Sequence, residues 1–400
     1  MKEALVLRPS DLLPTLATTL RRGVRDVFAT TRSRGRDPHR RTRSTDVSVQ
    51  RVHHRDVWAR VSTVGRDGER TFVLVPGIGV AATYFERLAP ALNEFGPVHA
   101  LDLPGFGGVP HPVDARRMGI GDYAELVGAV IDELGLDDPV VLGHSMGTQV
   151  VAELAARRPE LTTIVLLGPV MNRHERRIPI AALRFAQSSV REPLKVAILA
   201  AGAYLLCGPR WFSRVLPEMM QYRIEDTVPR IRASALVIRG EFDRLVPREW
   251  AEEIAHAIPH ARAWEIPDAS HSVMHAHAEE VARLCVEHAR APQPDREEAA
   301  LRRYPDAEID RAEEDAPTED PLGAIRGRIT ELAGILVDDD SLIAEGKTLH
   351  AEASDPAALH EVAPDPGGGE LVEGGGPTRR GPTPGGPAPS GPAQVDGRGG

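Results

Sequence analysis

Asp138-Pro139-Val140-Val141-Leu142-Gly143-His144-Ser145-Met146-Gly147 is the stretch on which the reading of this chain turns. A short β-branched apolar run breaks into G-x-S-x-G, and Thr148 to Ala156 continues as a helix. A serine on such a strand-to-helix turn takes a strained backbone conformation, and flanking glycines let neighbouring chain pass without Cβ clashes. The turn lifts the hydroxyl out of the sheet and sets the following backbone N–H, that of Met146, beside it at a helix N-terminus. A raised hydroxyl next to an N–H donor is what attack on a carbonyl requires.

A serine is a weak nucleophile until a base takes its proton, so a histidine and an orienting acid are needed. Ala235-Leu236-Val237-Ile238-Arg239-Gly240 reads as a buried strand, and Glu241-Phe242-Asp243-Arg244 follows it as a loop with an acid just past the strand end. Farther on, Ala263-Trp264-Glu265-Ile266 reads as another strand, followed by Pro267-Asp268-Ala269-Ser270-His271. Ser145, Asp243 and His271 therefore each follow a strand. In an open parallel sheet those strand ends share one edge, where ligands bind. Glu241 is a rival acid two residues from Asp243, and Asp268 lies too near His271 in sequence to be preferred. His275 and His277 read as a solvated helix start rather than as metal ligands, because no Cys or nearby carboxylate completes a set. His144 reads as a packing or hydrogen-bonding residue.

These landmarks resemble those of the α/β-hydrolase superfamily over about Asp46 to Arg290, with the chain order Ser, acid, His. Thr71-Phe72-Val73-Leu74-Val75-Pro76-Gly77-Ile78-Gly79 is similar to the family's third strand and oxyanion loop, and Asp102-Leu103-Pro104-Gly105-Phe106-Gly107 to its D-x-P-G-x-G segment. The resemblance implies a mostly parallel, eight-stranded-type α/β sheet flanked by helices. It further implies a Ser145–His271–Asp243 triad, an oxyanion hole from the backbone N–H groups of Met146 and Ile78, and no cofactor or metal. Two departures are Pro76, where many members carry a histidine, and Thr148, where a smaller residue is common. Neither removes a catalytic group. A serine at 145 also sets the chain apart from the epoxide-hydrolase and dehalogenase branches, which use an aspartate there.

The implied reaction is hydrolysis of a carboxylic ester of a small or medium apolar substrate through an acyl-enzyme. Acyl transfer, thioester cleavage and C–C bond hydrolysis use the same triad and remain open at this point, as does a non-catalytic scaffold that keeps the fold. An insertion from Val170 to Arg230 occupies the place of a helical cap. Its uncharged run Val196 to Cys207 and its Trp211, Phe212, Leu216, Met219 and Met220 suggest either an apolar pocket lining or packing of cap on core.

Composition is that of a globular domain with appendages: 42% hydrophobic residues in 400 positions. Cys207 and Cys285 offer neither a disulfide framework nor metal-site spacing. No apolar run suggests a signal peptide or a membrane span, so a cytoplasmic protein is expected. Charge is uneven. Residues 1–70 carry 16 Lys/Arg against 8 Asp/Glu, residues 71–290 carry 22 against 27, and residues 291–400 carry 10 against 23. The overall charge of −10 argues against a dedicated nucleic-acid binder. Within the basic extension 1–45, Leu13, Leu16, Leu20, Val24, Val27 and Phe28 fall at helical spacing beside Arg21, Arg22 and Arg25. Such a helix suits weak contact with an anionic membrane surface, or docking on the chain's own acidic parts.

Past Arg290 the hydrolase pattern ends. Residues 291–320 read as an acidic linker, and 321–360 as a short helical segment. Gly327-Arg328-Ile329-Thr330-Glu331-Leu332-Ala333-Gly334 followed by Glu345-Gly346-Lys347 is similar to the CsbD-like family of small bacterial stress proteins. Residues 361–400 hold 13 Gly and 8 Pro and are expected to be disordered.

Overall fold

A computed structural model describes residues 46–354, except 66, 113–117, 191, 193–199, 201, 205, 293, 295 and 310–319. The expected basic N-terminal helix, half of the run 196–207 and the Gly/Pro-rich tail lie outside the described residues.

Nine strands form one sheet: β1 (Val47–His54), β2 (Val57–Val64), β3 (Phe72–Val75), β4 (Val98–Asp102), β5 (Val140–His144), β6 (Thr163–Leu167), β7 (Ser234–Gly240), β8 (Ala261–Ile266) and β9 (Leu301–Arg303). Their order is β1-β2-β4-β3-β5-β6-β7-β8-β9. β1 pairs antiparallel with β2, and β2 with β4; every other pair is parallel. Parallel strands need crossovers, and helices supply them on both faces, so the central strands are apolar on both sides. β5, β6 and β7 are buried at every residue. Alternation sorts their side chains into two layers. Val141, Ile164, Leu166, Ala235 and Val237 pack with helices Ile120–Glu133, Met146–Arg157 and Arg248–Ala257. Leu142, Val165, Leu167, Leu236 and Ile238 pack with helices Leu88–Asn93 and Ala278–Arg290 on the other face. The registers Val75↔Gly143, His144↔Leu167 and Gly240↔Ile266 bring the ends of β3, β5, β7 and β8 to one edge.

The sheet continues past Arg290, where the sequence reads as a linker. Leu301–Arg303 add a strand parallel to β8, and Tyr304 N donates to Glu265 O at 2.8 Å, occupying an edge that would otherwise present unpaired backbone. The helices Pro321–Leu336 and Asp340–Ser354 form a hairpin held against β1 and β2. Arg51 pairs with Asp338 at 2.7 Å, Lys347 Nζ donates to Ser62 Oγ at 2.9 Å, and Val47 N donates to Thr348 Oγ1 at 3.0 Å. The two helices approach closely because a Cβ on Gly346 would lie 2.2 Å from Glu331 N. Glu331 is in turn flanked by Arg328 at 2.7 Å and Lys347 at 3.6 Å. Among the described residues, no helix is long and apolar enough to cross a membrane.

Candidate active site

β5 is followed by Ser145, whose φ of 53° and ψ of −119° lie in a region that non-glycine residues rarely enter. Such a conformation costs on the order of 1–3 kcal/mol and persists only where surrounding structure enforces it. The enforcement is visible on both sides. A Cβ on Gly143 would lie 2.2 Å from Gly147 O, and one on Gly147 would lie 2.3 Å from Val75 O. Both contacts are with backbone that cannot step aside. Ser145 N donates to Leu167 O at 3.0 Å, tying the turn to β6. Met146 opens the following helix, so its N–H belongs to the first turn, which has no intrahelical acceptors. The loop after β3 runs alongside: a Cβ on Gly77 would sit 3.1 Å from Ser145 Cβ, and Ile78 lines the same cavity as Ser145.

The structure brings Asp243 and His271 to this point. His271 Nδ1 lies 2.7 Å from Asp243 Oδ2, and both side chains are buried. Asp243 Oδ1 accepts from Leu245 N at 2.9 Å and Val246 N at 3.2 Å, which fixes the carboxylate plane. His271 Nε2 is buried and has no hydrogen-bond partner among the described residues, and its ring shares the cavity with Ser145. Burial opposes the imidazolium of His271. The charge of Asp243, the hydrogen bond to it and the charge of Glu192 outweigh burial, so the net displacement is upward from the ordinary 6.5. His144 behaves oppositely. Burial and the neighbouring His271 push it well below the ordinary value, and its Nε2 donates to His271 O at 3.1 Å.

The rival acid Glu241 is occupied elsewhere. Glu241 pairs with Arg303 at 2.9 Å and accepts from Asp268 N at 3.1 Å, so it braces the loop onto β9. Contrary to the expected solvated helix start, His275 and His277 are buried. His275 faces Glu86 at 3.4 Å and His277 faces Glu280 at 3.9 Å. Among the described residues, no three His, Cys, Asp or Glu side chains are grouped to hold a metal.

The cap divides its apolar residues between two tasks. Phe212, Leu216 and Met219 line a cavity of about 300 Å³ that reaches Ser145 and His271. Trp211 Nε1 instead donates to Pro104 O at 3.2 Å, pinning the cap to the Asp102–Gly107 segment. Among the described residues lining this cavity, none is Arg, Lys, Asp or Glu. A wider groove of about 560 Å³, lined by Arg157, Arg158, Glu125 and Asp132 among others, contains neither Ser145 nor His271.

Several supporting residues escape a reading of the sequence. Arg239 donates to Val246 O at 2.8 Å and Asp243 O at 3.2 Å and forms a buried ion pair with Glu265, so it holds the acid loop from beneath. A charge inside the apolar run Ala235–Gly240 is the signal that marks it. Tyr84 reaches Ser272 Oγ at 2.7 Å, and Glu192 reaches Ser272 N at 2.8 Å. No local pattern announces either.

The sequence profile of the alpha/beta hydrolase family matches residues 72–284, from β3 to the helix that follows His271. The chain belongs to that family. An uncharacterized hydrolase, YugF, of Bacillus subtilis is 26% identical over 235 residues, covering 52% of this chain and 85% of that protein. A monoacylglycerol lipase of Mycolicibacterium smegmatis is 29% identical over 217 residues, covering 48% of this chain and 75% of the lipase. Among solved structures, an esterase from Exiguobacterium antarcticum aligns with a TM-score of 0.52 at 17% identity, over 60% of this chain and 99% of its own. At that identity the likeness is one of fold. The family's relatives thus include esterases and lipases, and the elbow, acid loop and histidine loop of this α/β hydrolase all fall inside the matched residues.

Proposed function

We propose that this α/β hydrolase cleaves an uncharged carboxylic ester with an apolar acyl or alcohol group, using Ser145 as nucleophile, His271 as base and acid, and Asp243 as the orienting carboxylate. The observation that carries the reading is the cavity. Ser145 and His271 both line an apolar space whose described lining residues include no Arg, Lys, Asp or Glu. A carboxylate or ammonium buried there would have no counter-charge, which costs far more than an apolar group of the same size. A dry cavity of ~150 Å³ holds a benzene ring, so one of about 300 Å³ suits a group of roughly a dozen carbons.

In this reading Ser145 Oγ attacks the ester carbonyl and passes its proton to His271 Nε2. The N–H groups of Ile78 and Met146 hold the oxyanion that forms. Collapse releases the alcohol, which takes the proton from His271. A water then repeats the sequence on the acyl-enzyme, giving the carboxylic acid and free Ser145. Asp243 keeps the histidine proton on Nδ1, leaving Nε2 open to receive the serine proton.

Labelling with a fluorophosphonate and turnover of a panel of p-nitrophenyl esters test this. Wild type is expected to be labelled and to favour neutral acyl chains over chains ending in a carboxylate, and Ser145→Ala to do neither. Folded wild type that neither labels nor turns over any ester would refute the reading. An acyl group that passes to an added alcohol in preference to water would move it to acyl transfer.

A further inference from the structure

The cap helix Ile178–Ser189 buries only two residues, Ala181 and Ser188. Ala181 lines the cavity. Ser188 does not, and a hydroxyl buried on an otherwise exposed helix needs partners. It has two outside its helix. Ser188 Oγ accepts from Arg244 N at 2.9 Å, and Ser188 O accepts from Ser270 Oγ at 2.7 Å. The second bond costs the helix nothing, because carbonyls of a last turn lack intrahelical donors. Four residues on, Glu192 Oε1 accepts from Ser272 N at 2.8 Å. Ser272 Oγ meets Tyr84 OH at 2.7 Å, so the same residue is also tied to the loop after β3. The end of the cap helix therefore holds Arg244, the residue after Asp243, together with Ser270 and Ser272, the residues on either side of His271.

We propose that Ser188 and Glu192 form a clasp that keeps the Asp243 loop and the His271 loop in register, making them positioning residues for the triad. The inference rests on the reading of Ser145, Asp243 and His271 given above. The loops also meet directly, through Phe242 N to Ala269 O at 2.8 Å and Asp268 N to Glu241 Oε2 at 3.1 Å. Those ties fall before Asp243 and His271 in the chain, whereas the clasp also holds Arg244 and Ser272, the residues that follow them. Losing it would let Asp243 and His271 shift relative to each other, and a shift of about 1 Å at a reacting group can cost on the order of a hundredfold in rate. The brace acts on chemistry rather than on substrate binding, since neither Ser188 nor Glu192 lines the cavity. It also makes the cap part of the catalytic frame as well as a roof over the pocket.

The test compares wild type, Ser145→Ala, Glu192→Ala, Glu192→Gln, Ser188→Ala and Ser189→Ala. Each is followed by its rate of fluorophosphonate labelling, by kcat and KM on a neutral p-nitrophenyl ester, and by its melting temperature. Ser189 Oγ bonds within its own helix, to Phe185 O at 2.8 Å, and its Ala variant serves as the control. Glu192→Ala is expected to lower kcat and labelling rate about ten- to a hundredfold with KM little changed. Glu192→Gln keeps an oxygen for Ser272 N–H and is expected to restore most of the rate. Ser188→Ala is expected to follow Glu192→Ala in direction. Wild-type rates in Glu192→Ala, or a Gln variant as impaired as the Ala variant, would overturn the clasp. If Glu192→Ala does not fold, Ser188→Ala decides: a wild-type kcat and labelling rate there overturns it equally. Wild type that Ser145-dependent labelling does not mark removes the triad reading, and the clasp with it, whatever the cap variants do.

Discussion

Exchanging Asp243 for Asn alters one atom and, in this geometry, the tautomer of His271. Oδ1 accepts from Leu245 N at 2.9 Å and Val246 N at 3.2 Å, while Oδ2 faces His271 Nδ1 at 2.7 Å. An asparagine has one accepting oxygen and one donating NH₂. Placing the NH₂ toward Leu245 and Val246 would leave two buried N–H groups without acceptors, at about 1–3 kcal/mol each. The oxygen therefore stays on that side and the NH₂ turns to His271. Nδ1 must then accept, the ring proton moves to Nε2, and the position that has to take the serine proton is filled. The same exchange in a serine-protease triad lowers turnover about 10⁴-fold, or roughly 5 kcal/mol of barrier at 1.36 kcal/mol per decade. We expect a loss of that order in kcat on a neutral p-nitrophenyl ester, with KM within a few-fold and an unchanged urea midpoint, because the loop hydrogen bonds survive. Asp243→Ala should lose both activity and stability, since it removes the loop's acceptor. A folded Asp243→Asn protein with kcat within tenfold of wild type would refute the reasoning and turn attention to Glu192 as the orienting acid.

Because the pKa of His271 is displaced upward from 6.5 and the base must be neutral, kcat/KM should fall as pH drops through a midpoint above 6.5, which a pH–rate profile of wild type measures. Gly147→Ala puts a Cβ 2.3 Å from Val75 O and should destabilise the fold by about 3 kcal/mol or more in denaturant unfolding. Gly135→Ala, with nothing within 4 Å but a φ of +60°, should cost only ~1 kcal/mol. Among the described residues, Arg239→Met leaves Glu265 paired with Arg248 at 3.4 Å and Arg303 at 3.7 Å, so stability should drop by about 3 kcal/mol, at the low end for a broken buried pair. Urea titration would show it, and kcat should fall as the acid loop loosens.

Much of this molecule is legible in the sequence wherever the constraint is local. The elbow is one such place. Two glycines around Ser145 are demanded by backbone contacts within a few ångströms, so the motif and the strained turn are the same fact. The parallel sheet is another, because strands buried on both faces read as continuous apolar runs such as Val140–Leu142 and Ala235–Ile238. Chain order then places Ser145, Asp243 and His271 after the ends of β5, β7 and β8, and a parallel sheet puts those ends on one edge.

What the sequence left open is decided by groups that meet across long separations. Nothing local distinguishes Asp243 from Glu241. The choice comes from Arg303 on β9, which draws Glu241 away, and from the N–H groups of Leu245 and Val246, which hold Asp243 toward His271. His275 reads as solvent-facing because Glu86, which faces it at 3.4 Å, lies 189 residues earlier in the chain. Ser188 and Glu192 carry no motif at all; their partners lie 56 to 82 residues away, on loops that only the folded sheet brings together. Sequence determined the sheet, the elbow and the order of the reacting groups, because each follows from near-neighbour sterics and burial. Tertiary structure decided which acid faces the histidine and what braces both, because hydrogen-bond partners are chosen by distance in space.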